Sequence, residues 1–529
     1  MIIELALAVG AFGIYWKSLN GSLCGDDHAV LGSNAVQSGD WRACLLGPPV
    51  EGLRAKLRGF FLHSIRARGL VNASYALDFK LAERDALDAT RLSHFVNITL
   101  HGVTTATVYH LLQTLGLAPR AALLGAAYWL VNPLMVNAVA NIAGRGSLLA
   151  AVFSLGALLA ALSGLHELAL PAIALAFLSK QDSVITLPLT GILLLWFGQV
   201  SGFVYLALAA IAAFAARNHF KAQTGNVISK LTGWPPPMPL ARFAPTFLVA
   251  TLQRLPKWFL GFGHGFSPSV LEITWRGSLP YLALALLTAA LVLAWNIPLL
   301  TLVLLLVLFS PWMCYVLTPM PDVVLEHRAY MLGLPAALLI GTVSPLIPLW
   351  ILTAWFGLLV ARSRHRAAQW TFGALNKAAI EDGSEKPMVF LNRGSELLAL
   401  RPVDEAEALT RRALALAPNV YHGWGQLGSI ASLRRDPINS YRNFRRGAFR
   451  CPMLPIAWST FGRVCEGFGL TARAMACYRH VERTNASPED KAAAKLLLEK
   501  VRLKHASIRH PMAPDLPDST QDRLPVKVQ

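Results

Sequence analysis

Charged side chains are scarce in this chain of 529 residues: Asp, Glu, Lys and Arg together make up 15%, where soluble domains carry roughly a quarter. Apolar residues reach 54%. At this length and balance the chain is not one soluble domain. Cysteine is scarce as well. The six cysteines form no CxxC pair and no zinc-type spacing, so no metal site is expected from them. Cys24 and Cys44 share the first loop, where a disulfide would form in an oxidising compartment; two free thiols are the other reading. No cleavable leader is expected either. Residues 2–16 are apolar, but no basic stretch precedes them and no small-residue cleavage site follows, so they are expected as a retained first helix.

Acids are the scarcer sign of charge, with 30 Asp and Glu against 48 Lys and Arg. The excess is uneven: from Arg362 onward 27 basic residues face 16 acidic ones, so the tail holds +11 of the formal +18. Behind a membrane domain, anionic headgroups or lipid phosphates are the expected partners of that charge, rather than nucleic acid. Up to about residue 361 the chain is a series of apolar runs. Counted against the ~20 residues a membrane helix needs, they predict eleven spans, near 2–18, 94–115, 119–137, 147–164, 166–180, 183–198, 201–217, 278–295, 297–316, 329–344 and 345–361. The segment 166–198 also reads as one broken pair. Residues 246–262 are placed on the membrane surface, and an amphipathic helix is expected at 50–67. The expected fold is all-α: a polytopic membrane domain over 1–361 with a first loop at 19–93, a linker at 362–386, helical repeats over 387–505 and a tail at 506–529. The expected inner loops hold one basic residue, Arg120, while Lys17, Lys180, Arg217 and the Arg362–Arg366 cluster fall on the other side. The positive-inside rule thus opposes an outward-facing site.

The repeats rest on a period of 34. Phe390, Trp424 and Trp458 keep that step, as do Gly394, Gly428 and Gly462, then Ala406, Ser440 and Ala474, and then Pro418 and Pro452. Phe444 and Tyr478 take the aromatic position of the second helix. A tryptophan or phenylalanine, a glycine, a small residue, an aromatic and a proline at this period describe the tetratricopeptide helix-turn-helix. Three units and a capping helix suffice for a stack.

Chemistry is expected from five segments. The adjacent acids Asp26 and Asp27 lie about ten residues past the first apolar run; carboxylates so near a bilayer signal function. Arg68 and Asn72 precede a run with His94, Asn97 and His101. Asn132-Pro133 leads through Asn137 to Gly144-Arg145, Ser179-Lys180 interrupts an apolar stretch, and Glu326-His327-Arg328 with Tyr330 sits between late spans. Singly, each cation reads as a helix-end snorkel. Together, Arg145, Lys180 and Arg328 suit a lipid-linked phosphate donor, and an acid suits removal of a proton from an acceptor hydroxyl.

In this order, and with repeats behind them, the segments resemble the transmembrane and tetratricopeptide-repeat O-mannosyltransferases, a branch of the GT-C membrane glycosyltransferases. The resemblance covers about residues 15–345. It differs at Asn132-Pro133, where the family has His-Pro, at Asn137, where it has an acid, and at Arg68-Gly69, where it has Arg-Pro. It implies an inverting glycosyltransferase that moves a sugar, mannose by family, from a polyprenyl-phosphate donor to a protein hydroxyl. Asp26 or Asp27 would be the base. Arg145, Lys180 and Arg328 would hold the donor phosphate, with Arg68, Asn72, His94, Glu326 and His327 in support. No cofactor or metal is implied, the lipid-linked sugar being a co-substrate, and the repeat groove would hold a polypeptide acceptor. The protein would be multi-pass in a bacterial inner membrane or the endoplasmic reticulum, with site and repeats extracytoplasmic. The alternatives are a non-catalytic membrane scaffold presenting its repeats, and a transporter of lipid-linked sugar.

Overall fold

The computed structural model describes residues 2–23, 27–46, 68–85, 88–180, 183, 185–220, 260, 330–371, 373–381, 383–384, 386–484 and 488–507. Every regular element among them is helical. They divide into two compact units, one ending at Glu396 and one starting at Leu397. The division falls ten residues beyond the expected start of the repeats. Asn376 and Arg393 explain the offset: the Asn376 amide donates to Glu396 at 2.7 Å and Arg393 donates to the Gly373 carbonyl at 2.8 Å, which ties the first repeat helix to the preceding linker.

The first unit comprises α1 (Ile2–Tyr15), α2 (Asp27–Leu31), α3 (Gly69–Asp85), α4 (Ala89–Thr114), α5 (Pro119–Val131), α6 (Arg145–Leu162), α7 (His166–Ser179), α8 (Thr186–Trp196), α9 (Gly202–Phe220), α10 (Gly333–Val343), α11 (Leu349–Gln369) and α12 (Leu375–Glu381). Short turns at Asn34–Gln37, Trp41–Leu46 and Val136–Val139 lie between them. Helix α4 runs antiparallel to α1: Phe12 meets Phe95 and Glu4 meets His110. Tyr15, Ile98, Tyr128, Trp129 and Leu148 are fully buried in the core that α1, α4, α5, α6 and α10 share.

Two helices among the described residues are long and apolar enough to cross a membrane, Ile2–Asn20 and Ile142–Leu162. A third is gained if Pro119–Val131 and Pro133–Val139, bent by 48°, count as one. Of the eleven expected spans, those two or three are long and apolar enough among the described residues, for two physical reasons. Helices α7, α8 and α10 have 14, 11 and 11 residues, and at 1.5 Å per residue each falls short of the ~30 Å hydrocarbon layer. Helix α4 has the length, 26 residues, but buries Ser93, His94, Asn97, His101, Thr104 and Thr105. The expected spans 278–295 and 297–316 lie outside the described residues, as do the amphipathic helix at 50–67, nearly all of the surface stretch 246–262 and the tail beyond Ser507.

The second unit is a tetratricopeptide-like stack. Helix α13 (Pro387–Leu400) crosses the division; after it come α14 (Val403–Leu416), the pairs α15 (Tyr421–Leu433) with α16 (Pro437–Arg450) and α17 (Pro455–Gly467) with α18 (Thr471–Arg483), and α19 (Pro488–Ser507). First helices start at 387, 421 and 455 and second helices at 403, 437 and 471, so each start keeps the 34-residue period. The repeated residues do the same work each time. Trp424 donates its indole N–H to the Pro418 carbonyl and Trp458 to that of Pro452, both at 2.8 Å. A Cβ on Gly428 or Gly462 would lie 2.6 Å from the Phe444 or Tyr478 ring; glycine lets the paired helices close over the aromatic.

Candidate functional site

Seven residues that lead into the first turn of α6, 141–147, gather the separated motifs of the sequence. The Asn97 side chain on α4 donates to the carbonyls of Asn141 at 3.0 Å and Ile142 at 3.4 Å. From α3, the Tyr75 hydroxyl donates to the Ile142 carbonyl at 2.6 Å. Asp27, 1% exposed at the start of α2, accepts from the Ala143 amide at 2.8 Å. Gly144 has no room for a side chain, since a Cβ there would lie 2.2 Å from the Ala138 carbonyl oxygen. Ser147 accepts from the Lys180 ammonium at 2.9 Å.

Arg145 stands at the centre and is fully buried. Its Nη1 pairs with Asp78 at 2.5 Å, its Nε donates to Asn97 Oδ1 at 2.9 Å and its Nη2 to the Ser93 carbonyl at 2.8 Å. The guanidinium carbon lies 4.4 Å from the centre of the Tyr75 ring. Asp78 also accepts from the Ser93 hydroxyl at 2.7 Å. A buried pair with its hydrogen bonds met is a strut: removing one partner strands a charge. The expected donor-phosphate role of Arg145 meets a guanidinium already occupied by α3 and α4. Burial pushes the Tyr75 hydroxyl up from its ordinary pKa, against the pull of Arg145, so it stays a neutral donor.

The other expected residues divide by placement. Lys180 is half-buried just past the end of α7, where the backbone turns extended. Arg68 is exposed, in the left-handed region at φ 52°, and its Nη1 reaches within 4.0 Å of the space a Cβ on Gly146 would fill. Asn72 is half-buried on α3. His94 is buried with neither ring nitrogen hydrogen-bonded, against the turn at Ser18–Gly21. Asp26, Glu326, His327 and Arg328 lie outside the described residues, as does Cys24, while Cys44 is buried, and burial raises its thiol pKa. Among the described residues, no three His, Cys, Asp or Glu gather closely enough to hold a metal ion.

Sequence reasoning missed Asp78 as a site residue, although a signal was present. It follows Ser74 by four and Tyr75 by three on α3, a face that buries Val71, Tyr75 and Asp78, and a carboxylate on a buried face requires a cation. It also missed the anchoring roles of His101 and Tyr330. His101 Nε2 faces the Leu130 carbonyl at 3.3 Å and therefore carries the hydrogen, leaving Nδ1 to accept from the Tyr330 hydroxyl at 2.7 Å. That bond, 229 residues apart, fixes the position two residues after Arg328. Helix α11 is fastened to the same end of the bundle. Ser363 donates to the Val131 carbonyl at 2.8 Å, Arg366 to that of Pro133 at 3.4 Å, and Arg364 twice to that of Gly13 at 2.7 and 3.0 Å. These cations meet carbonyls at the ends of α1 and α5, where the helix dipoles favour positive charge. A count of basic residues therefore reads cohesion as topology here.

No protein-family model matches the chain, and no curated protein matches it either. Among solved structures, the crystal structure of the P58(IPK) TPR domain is similar at 12% identity, with a TM-score of 0.22, over 74% of this chain and 95% of that one. At that score the likeness carries no argument about function.

Proposed function

We propose that the chain is an inverting membrane glycosyltransferase of the GT-C type, moving mannose from a polyprenyl-phosphate carrier to a hydroxyl of a polypeptide. One observation carries the reading. Motifs around residues 27, 97, 145 and 180 meet on the seven residues 141–147, beside a buried carboxylate held by a backbone amide. Such restraint orients a base before substrate arrives. In this reading Asp27, with Asp26 beside it, takes the proton of the acceptor hydroxyl as that oxygen bonds to the sugar's C1. The bond from C1 to the phosphate oxygen breaks on the opposite face, and its electron pair leaves with the prenyl phosphate. Lys180 and the exposed Arg68 meet that phosphate together with Arg328, Glu326 and His327 orient Arg328, and His101 anchors their segment through Tyr330. Arg145 holds α3, α4 and α6 together instead.

The protein is integral to the membrane in this reading, with the site extracytoplasmic in a bacterial inner membrane or the endoplasmic reticulum. The repeats are read on that same side of the membrane. The test uses the purified full chain with mannosyl-labelled polyprenyl phosphate, following label as it leaves the lipid. Asp27→Asn should slow transfer by about 10²–10⁴-fold, the usual weight of a general base, while donor binding persists. Unchanged transfer in both Asp26→Asn and Asp27→Asn would reject the reading. A scaffold presenting its repeats is the second reading, favoured by the commitment of Arg145 to Asp78; it expects both acids to be dispensable.

A further inference from the structure

Between residues 421 and 483 the chain has ten arginines, no lysine and three acids, Asp436, Glu466 and Glu482. Two of these acids are engaged: Asp436 caps α16, accepting from the Asn439 amide at 3.0 Å, and Glu466 accepts from the Tyr478 hydroxyl. Four of the arginines, Arg442, Arg445, Arg446 and Arg450, recur at i, i+3, i+4 and i+8 on α16, opposite its buried Ser440, Phe444, Gly447 and Ala448. Like charges at these spacings repel, so the stripe lowers the helix's own stability.

Three of its cations are held in place. The guanidinium carbons of Arg446 and Arg450 lie 5.5 and 5.6 Å from the centre of the Trp424 ring, and that of Arg445 lies 5.5 Å from the Phe449 ring. Arg450 also donates to the Asn419 side chain. Trp424 is itself fixed by its bond to the Pro418 carbonyl. The 34-residue period separates this feature from the architecture. Trp458 makes the same bond one repeat later, yet the positions 34 past Arg446 and Arg450 are His480 and Thr484. The repeat folds without the pair.

The surroundings indicate the kind of anion. A nucleic acid stacks bases on free aromatic faces, but the Trp424 ring carries two guanidiniums, and Trp458, 4% exposed, is covered by Phe449 and His480. A membrane surface takes cations beside apolar side chains free to insert; Ile438 and Phe449 on α16 are 52% and 37% exposed, Phe449 with Arg445 over its ring, so a membrane is the rival occupant. Fixed planar forks without lysine fit carboxylates, which arginine binds bidentately. We propose that the stripe centred on Arg446, Trp424 and Arg450 binds an acidic segment of a polypeptide, one carboxylate to each of the two guanidiniums. The claim rests on the transferase reading only in taking that polypeptide to be the acceptor.

The full chain in detergent, at about 0.1 M salt, is titrated into a fluorescein-labelled peptide alternating Glu and Ser, and anisotropy is followed. The Glu peptide should bind and its Gln counterpart should not. The double variant Arg446→Gln, Arg450→Gln should weaken binding roughly tenfold or more. Arg446→Lys with Arg450→Lys, which keeps the charge, should also weaken it because the forks are lost. Arg463→Gln, off the stripe, should bind like the parent. Thermal melts followed by circular dichroism show whether each variant is folded; the lysine pair decides if the glutamine pair is not. Equal binding of the Glu and Gln peptides, unchanged binding by the lysine pair, or tighter binding of a thymidine oligonucleotide or phosphatidylglycerol nanodiscs than of the Glu peptide would each overturn the proposal. If the chain binds the Glu peptide but leaves mannose on its lipid, the transferase reading fails and the peptide surface stands.

Discussion

The bundle and the repeat stack are both helical, yet they are held together by different means. In the bundle, buried polar groups join helices far apart in sequence: Arg145 alone ties α3, α4 and α6. In the stack, the hairpins α15–α16 and α17–α18 close by aromatic-on-glycine contact 16 residues along, Phe444 on Gly428 and Tyr478 on Gly462, and a tryptophan bond six residues back sets the turn before each. The first scheme concentrates stability in a few irreplaceable side chains, while the second spreads it over interchangeable units.

The largest effect should come from the strut. Asp78→Ala leaves Arg145 buried without its carboxylate and should destabilise the bundle by about 3–5 kcal/mol, whereas Asp78→Leu with Arg145→Met should recover much of that loss. Thermal unfolding in detergent would measure both; a double variant no better than the single would show that Arg145 holds something besides the fold. Next come the glycines. Gly144→Ala drives a Cβ onto backbone, the Ala138 carbonyl, so it should cost about 3 kcal/mol, the upper end for overpacking. Gly428→Ala and Gly462→Ala meet side-chain rings rather than backbone and should cost less, about 1–2 kcal/mol. Gly425→Ala, whose nearest neighbour would be at 3.8 Å, should stabilise α15 slightly. If the order of Gly144 and Gly428 is reversed, the contrast between the two schemes is wrong.

The smallest effect is pH-dependent and confined to the stack. The Asn439 backbone amide, and then its side chain, hold the Asp436 carboxyl below its ordinary pKa. A lowered folded pKa means that its contribution is fully present above the unfolded value near 4 and is lost as pH falls through the folded one. Asp436→Asn, which still caps a helix, should match the parent at neutral pH and lose less stability on acidification. Urea midpoints at pH 7 and pH 3 would show it.

Local pattern made much of the stack legible, because every element that defines a repeat lies within 34 residues of its counterpart. The bundle was legible as a set of motifs. Asp27, Asn97, Arg145 and Lys180 were singled out, and they converge. Their roles were less readable. Arg145 read as a phosphate ligand because nothing in its own neighbourhood names Asp78, 67 residues earlier. Helix length was less readable than hydropathy: among the described residues, the apolar run that ends at Lys180 folds into a helix of 14 residues.

By itself, the sequence determined the helical class, the 34-residue period and the residues that fill it, since helix propensity, glycine spacing and aromatic packing act over one or two turns. It also determined that charge would be rare and therefore consequential in the first unit. Only the tertiary structure decided which charges are spent on cohesion: Arg145 on Asp78, and Arg364 and Arg366 on the carbonyls of Gly13 and Pro133. A cation's role depends on what burial places beside it, and those neighbours come from helices whose order in the chain carries no trace of the contact.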